Sequence, residues 1–290
     1  MKKRVLITGA GGLLGRELSR AWEKIYSLTT LDRQNLDICD FEAVLELFNK
    51  IRPDVVVNAA AYTNVELAEK NPERCFEVNV EGTYNVGRAC SLVNARMCHI
   101  GTDYIFDGKS HSPYIEEDKA SPLNVYGKSK WDSERVLEKI SAKYLIARVS
   151  WLCGIYGSNF IKTLLKKASQ EKSIKVVNDQ IGVPTFTKDV SVALQALIDA
   201  EEEGVYHVTS GGSCSWYELA QELVKQERMD TEILPCSSGD FKSDVSRPPY
   251  SVLDSSKLKK VLGRNIMPSW QEGLHDMLFS LKNQTEPAQK

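Results

Sequence analysis

The stretch Arg4-Val5-Leu6-Ile7-Thr8-Gly9-Ala10-Gly11-Gly12-Leu13-Leu14-Gly15 decides how the chain is read. Its first five residues form an apolar run of strand length, and Arg16-Glu17-Leu18-Ser19-Arg20-Ala21-Trp22 beyond it reads as a helix. Between them Gly9, Gly12 and Gly15 permit a tight turn, a close backbone approach and close helix packing, and Gly11 adds room. A helix that starts there aims its free amides and positive dipole end at an anion such as a pyrophosphate. The spacing is G-x-x-G-x-x-G rather than G-x-G-x-x-G, yet strand, turn and helix come in the required order. The whole turn, Leu13 and Leu14 included, is the expected dinucleotide cradle.

Outward from this turn, Ser27-Leu28-Thr29-Thr30-Leu31-Asp32-Arg33 reads as a second strand. Asp32 stands where an acidic residue binds an adenosine ribose, and Arg33 beside it suits a 2′-phosphate. The two favour different cofactors, NADH and NADPH, with Arg33 tilting the balance to NADPH. Asp37 and Ile38 border the expected adenine position, although Asp37 serves equally as a cap, as Asp40 also would, for the amphipathic helix over 41–48. Pro53 to Ala61 is a further strand, and Ala59, Ala60 and Ala61 leave room for a ligand at its carboxyl end. Tyr62 to Val65 forms a loop over that edge. Pro72 opens a long helix to about Leu92 that carries Asn79. Strands over Arg96–Thr102 and Tyr144–Ser150 follow.

This alternation predicts an α/β fold, a Rossmann-like doubly wound parallel sheet with a smaller, irregular α/β substrate domain. Residues 1–150 form the NAD(P)-binding part, to which the chain returns at about 187–208 and 250–262. Residues 151–186, 209–249 and 263–283 form the substrate-binding part, and 284–290 a frayed polar tail.

Bulk properties narrow the function. The net charge is −2, so no basic face for nucleic acid is implied. No run of about 18 apolar residues appears, and the basic start is followed by too short an apolar stretch for a secretory signal. The 7 cysteines are odd in number and irregularly spaced, as expected of reduced thiols in the cytoplasm. The 4 histidines have no metal-ligand spacing.

Of the 11 tyrosines only Tyr126 has a lysine four residues on, Lys130. On a helix the pair shares one face, and an ammonium beside a phenol is expected to lower the phenol's pKa. Thr102 ends the preceding strand at the same sheet edge. A carbonyl reduction needs a hydride source, a proton donor and a group that polarises the oxygen. Tyr126 fits the donor, Lys130 its tuning partner and contact to the nicotinamide ribose, and Thr102 the hydrogen bond to the oxygen. Asn79 is placed to support a water near Lys130.

Gly9-x-x-Gly12-x-x-Gly15, Asn58-Ala59-Ala60-Ala61, Asn79-Val80-Glu81-Gly82-Thr83 and Tyr126-x-x-x-Lys130 together resemble the extended short-chain dehydrogenase/reductase family. Later segments narrow the resemblance to its nucleotide-sugar 4-ketoreductases: Thr102-Asp103-Tyr104-Ile105-Phe106-Asp107-Gly108, Arg148-Val149-Ser150-Trp151 and Arg247-Pro248-x-Tyr250-Ser251. What this implies is NADPH or NADH as cofactor and a dTDP-linked 4-keto-6-deoxy sugar as substrate, reduced at C4 to dTDP-L-rhamnose. Thr102, Tyr126 and Lys130 match the family's catalytic trio. Thr63, Val65, Asp103, Tyr104 and Trp151 fall at positions bordering the sugar. Gln180, Pro184 and Arg247 fall in segments that shape the nucleotide-sugar pocket. An aromatic face on Trp151 suits a sugar ring, and Arg247 suits a diphosphate.

The resemblance leaves rivals. Related 4,6-dehydratases need an Asp-Glu pair after the threonine, and here Asp103-Tyr104 lacks the second acid. A regulatory subunit of methionine adenosyltransferase is similar in sequence, holds NADP and reduces no sugar; the intact trio favours an enzyme. Gly101 stands where the family often has serine, which removes one hydroxyl contact. Some relatives bind Mg²⁺ at a dimer contact. Glu17 falls near such a position, but Lys188 and Asp189 supply no partner glutamate, so the sequence supports no metal. A monomer and a homodimer are both compatible with the sequence.

Overall fold

The computed structural model describes residues 2–140, 143–240 and 245–285. The opening stretch folds as read: β1 (Arg4–Thr8), then α1 (Leu13–Trp22). The chain continues through β2 (Ser27–Leu31), α2 (Phe41–Ile51) and β3 (Val55–Asn58) to short α3 (Val65–Lys70) and α4 (Pro72–Phe76). A π-helical turn over Glu77–Glu81 leads into α5 (Gly82–Val93), then β4 (Arg96–Thr102), α6 (Val125–Ile140) and β5 (Tyr144–Val149). Next come β6 (Leu152–Cys153), α7 (Phe160–Ala168), β7 (Ser173–Val177), β8 (Ile181–Gly182), β9 (Thr185–Phe186) and α8 (Thr187–Asp199). The chain ends through β10 (Gly204–His207), β11 (Cys214–Ser215), α9 (Trp216–Gln226), β12 (Glu232–Cys236), α10 (Ser256–Val261) and α11 (Trp270–Thr285). The tail expected from residue 284 starts inside α11, and 286–290 lie outside the described residues.

Among the described residues six strands form one parallel sheet in the order β10-β5-β4-β3-β1-β2. The strand order reverses between β1 and β3, which opens a crevice at their carboxyl ends. Both faces are covered, so the inner strands β1, β3 and β5 are mostly apolar, while edge strand β2 is not. Alternation still sorts the side chains. Val5, Ile7, Val55 and Val57 join Leu14, Leu18 and Trp22 of α1 and Val190, Leu194 and Leu197 of α8 on one face. Leu6, Val56, Met97 and Ile146 join Val44 and Phe48 of α2, Val86 of α5 and Leu137 of α6 on the other. A separate apolar cluster unites α7, β7, α9 and α11 through Ile161, Leu164, Ile174, Leu219, Leu223 and Leu274.

The long helix expected from Pro72 to Leu92 is present but passes through the π turn at Glu77–Glu81. That turn buries Asn79, whose side chain then bonds other segments rather than solvent.

Helix α6 is pinned to the sheet by a buried ion pair. Arg148 on β5 donates from Nη2 to Glu134 Oε2 at 2.8 Å and from Nε to both carboxylate oxygens at 3.1 and 3.2 Å. The two side chains are 4% and 1% exposed. Arg148 Nη1 donates to Glu116 O at 3.1 Å and faces His207 Nε2 at 3.3 Å. Burial, and then Arg148, press His207 down to about 3, so it is a neutral acceptor. Glu134→Ala would leave the guanidinium buried without its counter-charge, and the expected loss is about 3–5 kcal/mol. Urea unfolding of the two proteins measures it; a loss under about 1 kcal/mol would mean that the pair does not hold α6 in place.

Candidate active site

The cofactor cleft lies over the reversal point, with a volume of roughly 380 Å³. Gly9 takes φ +67°, and a Cβ on it would lie 2.5 Å from Ala60 N. A Cβ on Gly15 would collide with the Gly9 carbonyl. These two positions therefore exclude side chains so that β1, α1 and the Ala59-Ala60-Ala61 segment can meet. Gly12 is the N-cap of α1 with no side-chain cap, so the first amides stay open to an anion. Gly11 lines the cleft without being crowded. Leu13 and Leu14 open α1; Leu14 is buried in the core, and Leu13 lies near Gly157.

At the adenosine end Asp32, Arg33, Asp37, Ile38, Ala59, Ala60 and Ala61 all line the cleft. Asp32 is partly committed: its Oδ1 accepts from the amides of Gln34 and Asn35 at 2.9 and 3.1 Å. That turn leaves the exposed Arg33 at the cleft mouth. Asp37 does not cap the following helix; Asp40 does, accepting from Ala43 N. Asp37 accepts instead from Cys39 N at 3.0 Å and pairs with Arg74 at 3.6 Å. The Cys39 amide bond holds its carboxyl below the usual range. Ile38 is buried, set against the space a Cβ on Gly82 would need. Arg74 lines this end too and was missed, since no local motif marks it.

At the chemical end Thr102 is 6% exposed. Its Oγ1 donates to Asp103 Oδ1 at 3.2 Å and accepts from Tyr104 N at 3.3 Å. Tyr126, near the start of α6, packs edge-on against Tyr104 with ring centroids 5.8 Å apart. Burial pushes the Tyr126 phenol up, and only the hydrogen bond with Thr102 acts the other way. The lowering expected from Lys130 does not occur. Lys130 sits one turn deeper, 2% exposed, with Nζ 3.0 Å from His99 Nε2. Burial draws Lys130 down to about 8, while Glu134 and Cys75 work against that.

Asn79 is likewise not free to hold a water by Lys130 with its amide nitrogen. Its Oδ1 accepts from Tyr62 N at 2.7 Å, and its Nδ2 donates to Tyr62 O at 3.1 Å and Ser129 Oγ at 2.8 Å. It clamps the segment after β3 to α6.

Asp103, expected at the sugar, is 2% exposed. It accepts from Ser150 Oγ at 2.9 Å as well as from Thr102 and Ser251, and burial raises it to about 6. Tyr104 is raised to about 12 by burial and by Asp103, against Arg247. Arg247 also donates to Glu66 Oε1 at 2.6 Å. Thr63 is exposed, and Val65 is the first residue of α3 rather than part of a loop. Gln180 is half-buried and Pro184 buried. Trp151 departs from expectation: its ring stacks on Trp216 at 3.5 Å between centroids, 4° from parallel. A Cβ on Gly182 would strike the indole at Cε2, Nε1 and Cζ2. One face of Trp151 is thus taken by Trp216, and Gly182 sits against the Nε1–Cζ2 side of the indole.

Gly101 has a local cause. A Cβ there would lie 2.7 Å from Glu134 Oε1 and 2.9 Å from Arg148 Cγ. A side chain here would press on this ion pair. Around Glu17 the residues do not suit a metal. Thr187 Oγ1 bonds Glu17 Oε2 at 3.4 Å, and Lys188 pairs with Asp276 at 2.7 Å. Among the described residues no three His, Cys, Asp or Glu side chains gather as metal ligands.

Parallel sheet, glycine turn and the Tyr126–Lys130 helix define the extended short-chain dehydrogenase/reductase class. The profile of the RmlD substrate-binding domain matches residues 2–283, and the chain belongs to that family. It is 38% identical to the spore coat polysaccharide biosynthesis protein SpsK of Bacillus subtilis, covering 95% of this chain and 96% of that protein. It is 33% identical to dTDP-4-dehydrorhamnose reductase of Escherichia coli, covering 96% and 97%. The crystal structure of dTDP-4-dehydrorhamnose reductase from Bacillus anthracis in complex with NADP superposes with a TM-score of 0.94 at 38% identity, covering 97% of this chain and all of that one.

Arg33→Ala is expected to weaken NADPH binding about tenfold and NADH binding little, since one charged hydrogen bond to the 2′-phosphate is lost. Titration with both cofactors decides it, and an equal loss for the two would remove Arg33 from the 2′-phosphate.

Proposed function

We propose that this chain reduces the C4 keto group of dTDP-4-dehydro-L-rhamnose to dTDP-L-rhamnose, using NADPH. The observation that carries the reading is the Tyr126–Thr102 corner at the carboxyl end of β4, on the sheet edge that also holds the glycine cradle. The relatives named for this reduction, which align along nearly the whole chain, supply the sugar and the cofactor. Tyr104 stands where an elimination would need an acid, which favours simple reduction.

Residues 1–150, with 187–208 and 250–262, hold the cofactor in this reading, and the remaining segments hold the nucleotide sugar. NADPH, when bound, supplies the hydride. Gly9 to Gly15 and the α1 amides hold its pyrophosphate, and Ala59 to Ala61 let it approach the sheet. Tyr126 gives its proton to the C4 oxygen, and Thr102 steadies that oxygen by a hydrogen bond once its hydroxyl turns from Asp103 Oδ1 to the substrate. A phenol pushed up by burial stays protonated across neutral pH, so the donor is always loaded. In this reading Lys130, one turn along α6, is the positive charge on the same helix face as the phenolate left behind. Arg247, beside Tyr104 and Glu66, is the cation for the diphosphate. Seven free thiols among the described residues agree with a cytoplasmic site of action.

Tyr126→Phe is expected to bind NADPH as before and to lose turnover by about 10²–10⁴-fold. Near wild-type oxidation of NADPH with the 4-keto sugar nucleotide would remove Tyr126 as donor. Because Lys130 is an ammonium below about 8 and a neutral amine above it, kcat should fall as pH rises through that value. A kcat flat from pH 7 to about 10 would contradict a charged Lys130 in the reaction.

A further inference from the structure

A polar row crosses an otherwise apolar sheet face. Thr8 on β1, Asn58 on β3 and His99 on β4 are direct cross-strand neighbours. Thr8 Oγ1 lies 2.7 Å from Asn58 Oδ1, and Asn58 Nδ2 lies 3.4 Å from His99 Nδ1. The row ends on α6, where His99 Nε2 is 3.0 Å from both Lys130 Nζ and Ser133 Oγ. Thr8, Asn58 and His99 are each no more than 1% exposed. Buried imidazole in a parallel sheet is costly unless both nitrogens are matched.

We propose that His99 is a positioning residue that holds the Lys130 ammonium by accepting its hydrogen bond at Nε2. This rests on the reading of Lys130 as the charge beside Tyr126. Ser133 Oγ lies 2.6 Å from Lys130 O and 3.0 Å from His99 Nε2, and with Nε2 bare its hydrogen turns from Lys130 O toward the ring. An ammonium at 3.0 Å requires Nε2 to be bare, and the ring proton then sits on Nδ1. Nδ1–H faces the Asn58 amide, which accepts it once its oxygen is turned toward the ring. The Thr8 hydroxyl serves either amide orientation, because a hydroxyl both donates and accepts. Among the described residues no carboxylate is hydrogen-bonded to Nζ: Glu134 is bound to Arg148, and the Asn79 amide is taken up by Tyr62 and Ser129. The charged or titratable groups facing Lys130 are therefore His99 from β4, Glu134 from its own helix with Arg148 behind it, and the Cys75 thiol of α4, which burial keeps neutral. Neutral His99 is the neighbour that favours the ammonium without adding a charge of its own, since burial holds it well below its usual value.

The test uses three readouts on the full chain. Ring ¹⁵N spectra of wild-type protein at pH 7 should place the His99 proton on Nδ1; an Nε2–H tautomer overturns the proposal with no variant needed. In protein labelled with ¹³C at lysine Cε, the titration midpoint of Lys130 should fall by about one pH unit in His99→Phe, which loses an acceptor to the ammonium. His99→Gln, which keeps an acceptor, should hold the midpoint near the wild-type value. An unchanged midpoint in His99→Phe overturns the proposal. The descending limb of kcat against pH should move with the midpoint; a limb that stays while kcat merely drops would mark His99 as packing alone. Should the wild type turn over no sugar, the reductase reading fails, while the two spectroscopic readouts still decide the hydrogen bond.

Discussion

The Arg148–Glu134 ion pair sets where the chemistry stands. Residues 126, 130 and 134 occupy one stripe of α6, so fixing Glu134 against β5 also fixes the depth and rotation of Tyr126 and Lys130. An exposed pair could not do this, because water and salt would compete for both partners. Here the guanidinium also holds Glu116 O and faces His207, so one side chain ties α6 to β5, β10 and the segment after β4. Such a pair contributes little net stability compared with an apolar replacement. Its value is geometric: it admits one register of helix on sheet.

That register explains the contrast between neighbours on β4. Met97, His99 and Gly101 face α6, while Cys98 and Ile100 face the opposite core. Thr102, at the strand end, escapes both and meets the Tyr126 corner. The cofactor cradle is built by exclusion: Gly9 and Gly15 keep side chains away so that backbone amides can face an anion. The Tyr126 end is built by inclusion, with buried polar groups each given a partner. One sheet edge thus serves two opposite demands, open backbone on one side and satisfied side chains on the other.

Much of this was legible beforehand. The strand-turn-helix at Arg4 to Trp22, the alternating strands and the Tyr126–Lys130 spacing are local patterns, and local patterns survive translation into structure. What escaped depends on distant partners. Glu77-Val78-Asn79-Val80-Glu81 looks like ordinary helix, and its π turn is defined by Asn79 meeting Tyr62 and Ser129. Trp151 looked like a platform for a sugar, but Trp216, far along the chain, takes that face. The Tyr126 phenol was expected to be lowered by its lysine. Burial raises it instead, and burial is a property of the fold rather than of spacing. A charged residue inside Leu145-Ile146-Ala147-Arg148-Val149 was a usable hint of the ion pair, as was Glu134 four residues after Lys130.

The contact between Gly101 and Glu134 carries a consequence for how such sequences can diverge. A side chain at 101 and a full-length carboxylate at 134 compete for the same space, so each position is permissive only in the company of the other. A serine at 101 requires the Glu134 carboxylate and the Arg148 stem to give way. Such a step crowds the pair that positions the helix. The two sites are therefore coupled, and a substitution harmless in one relative becomes disruptive when transplanted into this one.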